Sequence, residues 1–224
     1  MRVAAVRCRL RPMQAADIPQ ILDIERQSFP TMWPQTIYQR EMKNKMARYL
    51  VAYEPSPEDA GLAPAPENSD APGMRRFVQR FIGGLPDASD TNDRILGVVG
   101  LWLMVGDAHI VTIAVRPECR RQGIGEVLLV AAIETAIRER QDEVTLEYRI
   151  SNEGARAMYE KYGFRQAGVR AKYYSDTQED AVLMTTPELR SHAYRQLLIE
   201  RIAEQRKRWG DAYPLAGELR CIVR

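Results

Sequence analysis

The stretch from Val111 to Ile133 limits what this chain can fold into more than any other. Ile110-Val111-Thr112-Ile113-Ala114-Val115 is an apolar, β-branched run that reads as a strand, and Arg116-Pro117-Glu118 breaks it. Proline cannot donate to a ladder and biases its predecessor away from helix. Arg120-Arg121-Gln122-Gly123-Ile124-Gly125 follows, and then Val127, Leu128, Ala131, Ile133, Ala136 and Ile137 recur at helical spacing. A glycine turn running into a helix leaves several backbone N–H groups pointing outward, and a helix start attracts anions. Two arginines just before it add charge suited to phosphates. Taken alone, the pattern also fits a plain turn with solvated arginines. It lacks the Gly-Lys-Ser/Thr ending of a Walker loop and the three-glycine rhythm of a dinucleotide fingerprint.

With 224 residues, one domain with extensions is expected, and the chain can bury a sizeable core. A net charge of +2 implies no broad affinity for polyanions, DNA included. Cys8, Cys119 and Cys221 are odd in number and without a Cys-x-x-Cys pair, which argues against a disulfide framework or zinc site and for a reducing cytosol. His109 and His192 are the two histidines, too few for a histidine metal site or a triad. The longest apolar run, Gly97 to Gly106, is ten residues and too short to span a bilayer. The expectation is a cytoplasmic protein with no membrane partner and no metal.

In chain order, Val3 to Leu10 reads as a strand, Asp17 as a cap for a helix ending near Ser28-Phe29-Pro30, and Pro34 as the start of a second helix carrying Ile37, Tyr38 and Met42. Tyr49 to Tyr53 is the next strand. Residues 54–93 then hold six of the thirteen prolines and read as an insertion. Within it, Met74 to Ile82 is amphipathic, either a helix packing back on the domain or an element that gates substrate or meets a partner. Arg94 to Val105 and Ala108 to Val115 pair across a Gly106-Asp107 turn. Glu143 to Ile150 is a strand, Asn152 to Tyr162 a short helix, and Phe164 to Tyr174 with Asp180 to Thr185 a last strand pair. Thr185-x-x-Glu188 around Pro187 suggests the start of a helix running to about Trp209. Its basic face, with Arg190, Arg195, Arg201, Arg206, Lys207 and Arg208, is a solvated surface or, in the minority reading, a contact to RNA or the ribosome. The resulting class is α/β, with a mostly antiparallel sheet of about seven strands flanked by helices.

Leu146-Glu147-Tyr148 places Glu147 on the strand face opposite its two neighbours. A strand-borne glutamate at a cleft suits a general base, and a tyrosine hydroxyl on the next helix, Tyr159, suits a general acid. An ion-paired glutamate and a packed aromatic ring account for the same two residues equally well on sequence alone.

Ile113-Ala114-Val115, Arg120-x-x-Gly123-x-Gly125, Ser151-Asn152 and Ala157-Met158-Tyr159-Glu160-Lys161-Tyr162-Gly163-Phe164 resemble the acetyl-CoA-binding motifs of GNAT acetyltransferases. Ile24-Glu25 through Ser28-Phe29, Leu146-Glu147 with Arg149, Tyr173-Tyr174, and Glu179-Asp180-Ala181-x-x-Met184 resemble the RimI type, which acetylates the N-terminal alanine of a ribosomal protein. The resemblance covers roughly residues 7–53 and 94–186. It implies a GNAT domain over residues 1–186 with the insertion at about 54–93, followed by a helical extension over 187–224. It implies acetyl-CoA as cosubstrate and a protein N-terminus, including that of a ribosomal protein, as acceptor. Backbone groups of Ile113, Ala114 and Val115 would hold the pantetheine arm where the sheet is splayed. Arg120 and the amides of Arg121, Gln122, Gly123, Ile124, Gly125 and Glu126 would hold the pyrophosphate, and Asn152 would hydrogen-bond the cofactor. Glu147 would be the general base and Tyr159 the general acid, with no covalent cysteine step. Two other readings stay open: a small-molecule amine as acceptor, and a silent acetyl-CoA-binding module.

Overall fold

The computed structural model describes residues 8–29, 35–55 and 93–210. The amphipathic piece at 74–82, most of the insertion, the first residues of the expected opening strand, Pro34 and Cys221 lie outside them. β1 (Arg9–Pro12), α1 (Ile18–Ser28), α2 (Gln35–Glu41) and β2 (Ala47–Glu54) precede the insertion, and β3 (Arg94–Leu103) and β4 (Asp107–Val115) follow it. Then come α3 (Ile124–Arg138), β5 (Glu143–Arg149), α4 (Glu153–Lys161), β6 (Arg165–Tyr174), β7 (Glu179–Thr185) and α5 (His192–Trp209).

The seven strands form one sheet in the order β1-β2-β3-β4-β5-β7-β6. Every neighbouring pair is antiparallel except β4–β5, which is parallel, because α3 carries the chain back across the sheet between them. Alternation along the strands sends successive side chains to two separate cores. On one face Ile18, Ile21 and Ile24 of α1 and Tyr38 of α2 pack on Tyr49, Val51, Ile95, Val98 and Ala114. On the other, α3, Tyr159 of α4, and Tyr194, Leu198, Ile202 and Trp209 of α5 pack on Leu96, Val99, Leu101, Val144 and Leu146. Ile124 and the whole run from Val127 to Ala136 in α3 are buried, as befits a helix covered on both sides.

The opening strand sits two residues later than Val3–Leu10 suggests at its C-terminal end, with Arg9 to Pro12 opposite Tyr53 to Leu50. The last helix starts later than expected: Thr185 to Glu188 is not its first turn. Thr186 bonds Val144 through both its N–H (3.0 Å) and its hydroxyl (3.0 Å), and Leu189 N–H donates to Asp142 O (2.8 Å). These bonds hold the segment along β5, so Ser191 becomes the N-cap instead, its side chain accepting from Tyr194 N–H.

Candidate active site

A bulge in β4 starts the site. Gly100 faces Thr112 and Leu101 faces Ile110, so Val111 is the extra residue on β4. Such an insertion bends the strand and increases its twist. The β4–β5 ladder runs from Asp107–Glu143 to Ile110–Leu146 and stops there. Beyond it β4 stays paired with β3 through Val115, and β5 stays paired with β7 through Arg149. The two central strands therefore part, with Ile113, Ala114 and Val115 on one side of the opening and Glu147 as the first residue of β5 past the last paired position.

The loop after β4 leads into α3. Arg121 (φ 63°) and Gly123 (φ 91°) both have left-handed backbones, and a Cβ on Gly123 would lie 2.9 Å from the Trp209 indole nitrogen, so glycine is required there twice over. Among the described residues, Arg121 to Glu126 donate no backbone hydrogen bond outside the helix, and Val127 to Gly123 O (3.1 Å) is the first. Gln122, Ile124, Gly125 and Glu126 thus present amides at a helix start, as the anion reading requires. A carboxylate beside a diphosphate would repel it, but Glu126 Oε2 takes hydrogen bonds from Lys161 Nζ (2.5 Å) and Tyr162 hydroxyl (2.8 Å). Burial alone would raise its pKa, yet those donors and the Lys161 charge hold it below the ordinary carboxylate value.

Side chains differ from the simplest expectation at two positions. Arg120 does not project over the helix start: its guanidinium donates to Val115 O (3.0 Å) and Ser28 Oγ (2.8 Å), bracing the end of β4 against α1. Asn152 caps α4, its Oδ1 accepting from Ala155 N–H at 3.0 Å, which leaves its amide NH₂ as the group for a ligand. Arg121 Nη2 comes within 3.9 Å of a Cβ position on Gly154, so its guanidinium reaches from the loop to the start of α4.

Glu147 is almost buried, its side chain 8% exposed, and both oxygens are engaged: Oε1 with Arg170 (2.7 Å), Oε2 with His109 Nε2 (3.0 Å). Tyr159 is buried in the α3-side core, its ring 5.7 Å from both Tyr148 and Phe164. Burial first, and then the nearby Tyr174 and Tyr148 phenols, push its pKa above the usual tyrosine value, so it keeps its proton throughout the neutral range. Tyr174 is close enough to be felt by Tyr159 and to feel the Glu147 charge, and burial pushes its own phenol to about 12.

Two further groups at the site escaped the sequence reading. Glu25 of α1, 2% exposed, accepts from the Tyr38 hydroxyl and from Thr112 Oγ1 (3.0 Å) one residue past the bulge, while its Oε2 has no hydrogen-bond partner. Burial raises its pKa, the two hydrogen bonds opposing. The Ile24-Glu25 pair was visible in sequence, but nothing there brought it to β4. His109 is the other, dismissed because two histidines make no triad; its partner is an acid on the neighbouring strand.

A profile of the acetyltransferase (GNAT) family matches residues 18–164. The chain belongs to the acetyltransferase (GNAT) family. Among relatives of this GNAT protein, an N-alpha-acetyltransferase of Sulfurisphaera tokodaii is 32% identical over 80% of this chain and 92% of its own. A Bacillus subtilis protein provisionally named a ribosomal protein bS18 alanine N-acetyltransferase is 28% identical over 78% and 92%. In structure, the ribosomal-protein-S18-alanine N-acetyltransferase of Escherichia coli superposes with a TM-score of 0.58 at 21% identity, covering 81% of this chain and 94% of that one. A GNAT acetyltransferase of Elizabethkingia anophelis, solved with acetyl-CoA bound, does so at 0.54 and 19%, covering 81% and 98%. The GNAT assignment accords with the seven-stranded, mostly antiparallel sheet that opens between β4 and β5.

Proposed function

We propose that this GNAT enzyme transfers the acetyl group of acetyl-CoA directly to the N-terminal α-amine of a protein, with the N-terminal alanine of a ribosomal protein as the acceptor suggested by its relatives. The observation that carries the reading is the parting of β4 and β5 beside an open amide cradle, with a nearly buried carboxylate at its mouth. The cradle suits a diphosphate, since free N–H groups, the α3 dipole and a neutralised Glu126 all favour an anion.

Acetyl-CoA supplies an activated thioester, so the protein need only position, deprotonate and protonate. Ile113, Ala114 and Val115 offer backbone groups along the opening, and the Val115 N–H is assigned to the oxygen that gains charge as the amine attacks. Asn152 offers its amide. An α-amine titrates at about 7.7–8.0, so at neutral pH most of it is charged and must lose a proton before it can attack. Glu147 is assigned that proton, a contribution of ~10²–10⁴ in rate for a general base. Tyr159, still protonated at neutral pH, is assigned the departing sulfur. Cys8 and Cys119 are free and buried, which fits a cytoplasmic location and leaves them no nucleophilic role.

The test is mass spectrometry of acetyl transfer to a panel holding an alanine-started peptide, the same peptide blocked at its N-terminus, and polyamines. Acetylation confined to the free α-amine is the expected result. Turnover confined to the polyamines would replace the acceptor class, and acetyl-CoA binding without any transfer would reduce the protein to a binding module.

A further inference from the structure

His109 lies opposite Thr145 in the parallel β4–β5 register, and Glu147 lies two residues further along the same face of β5. Four side chains from the two strands form one unbroken chain. His109 Nε2 is 3.0 Å from Glu147 Oε2, and His109 Nδ1 is 2.8 Å from Thr145 Oγ1. Thr145 Oγ1 in turn lies 3.0 Å from both carboxylate oxygens of Asp107. The charged groups around this chain are Asp107 on β4, Glu143 and Glu147 on β5, and Arg170 on β6. On the β3 side His109 faces Trp102, whose indole donates to Glu41 Oε2 of α2 at 2.6 Å.

We propose that His109 is a positioning residue that receives the proton Glu147 takes from the acceptor amine and passes it to water, with Thr145 and Asp107 holding the ring for that exchange. The inference rests on Glu147 being the base. An ammonium gives up two protons in becoming an amide; one goes to the departing CoA sulfur, and the other has to reach solvent in every turnover. Glu147 is only 8% exposed and hemmed in by Arg170, so it has little direct contact with water. His109 is 21% exposed and touches both Glu147 and Thr145. Imidazole has two nitrogens that can each carry a proton, so the ring can take one from an acid and give one to water.

Thr145 Oγ1 donates to Asp107 and accepts from His109 Nδ1–H, so Nε2, 3.0 Å from Glu147 Oε2, is the nitrogen that exchanges the proton. When an ammonium N–H breaks, an O–H forms on Glu147. That O–H then breaks and an N–H forms at Nε2, leaving both ring nitrogens protonated. The imidazolium is thereby flanked by Glu147 on one side and, through Thr145, by Asp107 on the other. Loss of the Nε2 proton to water restores the neutral ring.

The experiment uses the full chain, saturating acetyl-CoA and an alanine-started peptide, with kcat followed from about pH 6 to about pH 9, around the imidazole range. His109→Ala is expected to lower kcat about 10²-fold with the acetyl-CoA KM unchanged. Imidazole added to the buffer is expected to restore at least about tenfold of it, as returning general acid-base help would. His109→Gln, which fills the space, is expected to stay slow and unrescued, and Thr145→Val to fall between parent and His109→Ala. Thermal unfolding of each variant controls for the fold. The proposal is overturned if His109→Ala keeps kcat within about twofold at every pH, or if a folded His109→Ala is slow and imidazole does not help it. An inactive Glu147→Gln beside a fully active His109→Ala would sink the relay alone. Full activity in Glu147→Gln would remove the base assignment and the relay with it.

Discussion

Glu147 and Tyr159 sit in opposite kinds of environment, and the difference fits the roles assigned to them. Glu147 is ringed by donors, Arg170 and His109, that an acid must have if it is to remain a proton acceptor in a nearly buried place. Tyr159 is ringed by Tyr148 and Phe164 in apolar surroundings that favour its neutral, proton-bearing form. Steady-state kinetics of Glu147→Gln should show kcat down by ~10²–10⁴ with the acetyl-CoA KM unchanged, since only the proton transfer is removed. Tyr159→Phe should lower kcat at every pH in the neutral range and shift no limb of the profile, because the phenol does not titrate there; a pH profile that moves instead of dropping would remove it as the acid. Both residues could be singled out in the sequence, but strand alternation left an ion-paired glutamate and a packed ring as rival accounts, and the base and acid roles came only with the resemblance to the GNAT motifs. Their partners could not be singled out. That His109 and Glu25 belong at the site depends on the β4–β5 register and on how α1 docks over Thr112, and neither contact lies within reach of a local pattern.

Among the elements, α5 departs furthest from expectation. Its basic face suggested a helix whose charges look outward, and its far end was placed correctly at Trp209, but its role was hidden. Trp209 packs at Gly123, Arg208 Nη2 donates to Arg121 O (3.1 Å), and Gln205 donates to the Tyr162 hydroxyl (2.5 Å) that itself donates to Glu126. The helix is thus a buttress behind the amide cradle, and part of its positive charge is spent inside the molecule. Sequence reading missed this because Gln205 and Trp209, polar or lone on a helical wheel, declare no partner without the turn they meet. Gln205→Leu, which strips a buried hydrogen bond worth about 1 kcal/mol, should raise the acetyl-CoA KM about fivefold while leaving the peptide KM alone. Trp209→Phe should act in the same direction. Equal changes in both KM values would mean the helix supports the fold at large and not the cradle.

At the scale of the whole molecule, the strand content and the helix after the glycine turn follow from hydrophobic periodicity, which is why they could be read ahead of the structure; the opening was expected only from the family resemblance, and the division into two cores comes from the structure. One buried acid could not be read ahead either. Glu134 of α3 is 3% exposed, and burial raises its pKa to about 8, with Arg138 and Arg206 only partly offsetting this. In the unfolded chain the same group ionises near its ordinary value of 4.5, so the folded state holds the extra proton between the two. The stability it contributes is complete below about pH 4.5 and is lost as pH rises towards about 8. Glu134→Gln should therefore unfold at a higher temperature than the parent at pH 8 and at about the same temperature at pH 4.5; a parent-like melting temperature at both would show that the acid finds other compensation.

The parting of β4 from β5 leaves two inner margins of one sheet facing each other without rungs, a condition proteins otherwise tolerate at their outer edges and guard against unwanted pairing. An extended amide-bearing ligand laid between them would act as a guest strand. Amide hydrogen exchange at residues 112–115 should slow when CoA is added and at no comparable rate elsewhere in β3 or β7, so the sheet would be whole in the liganded enzyme alone.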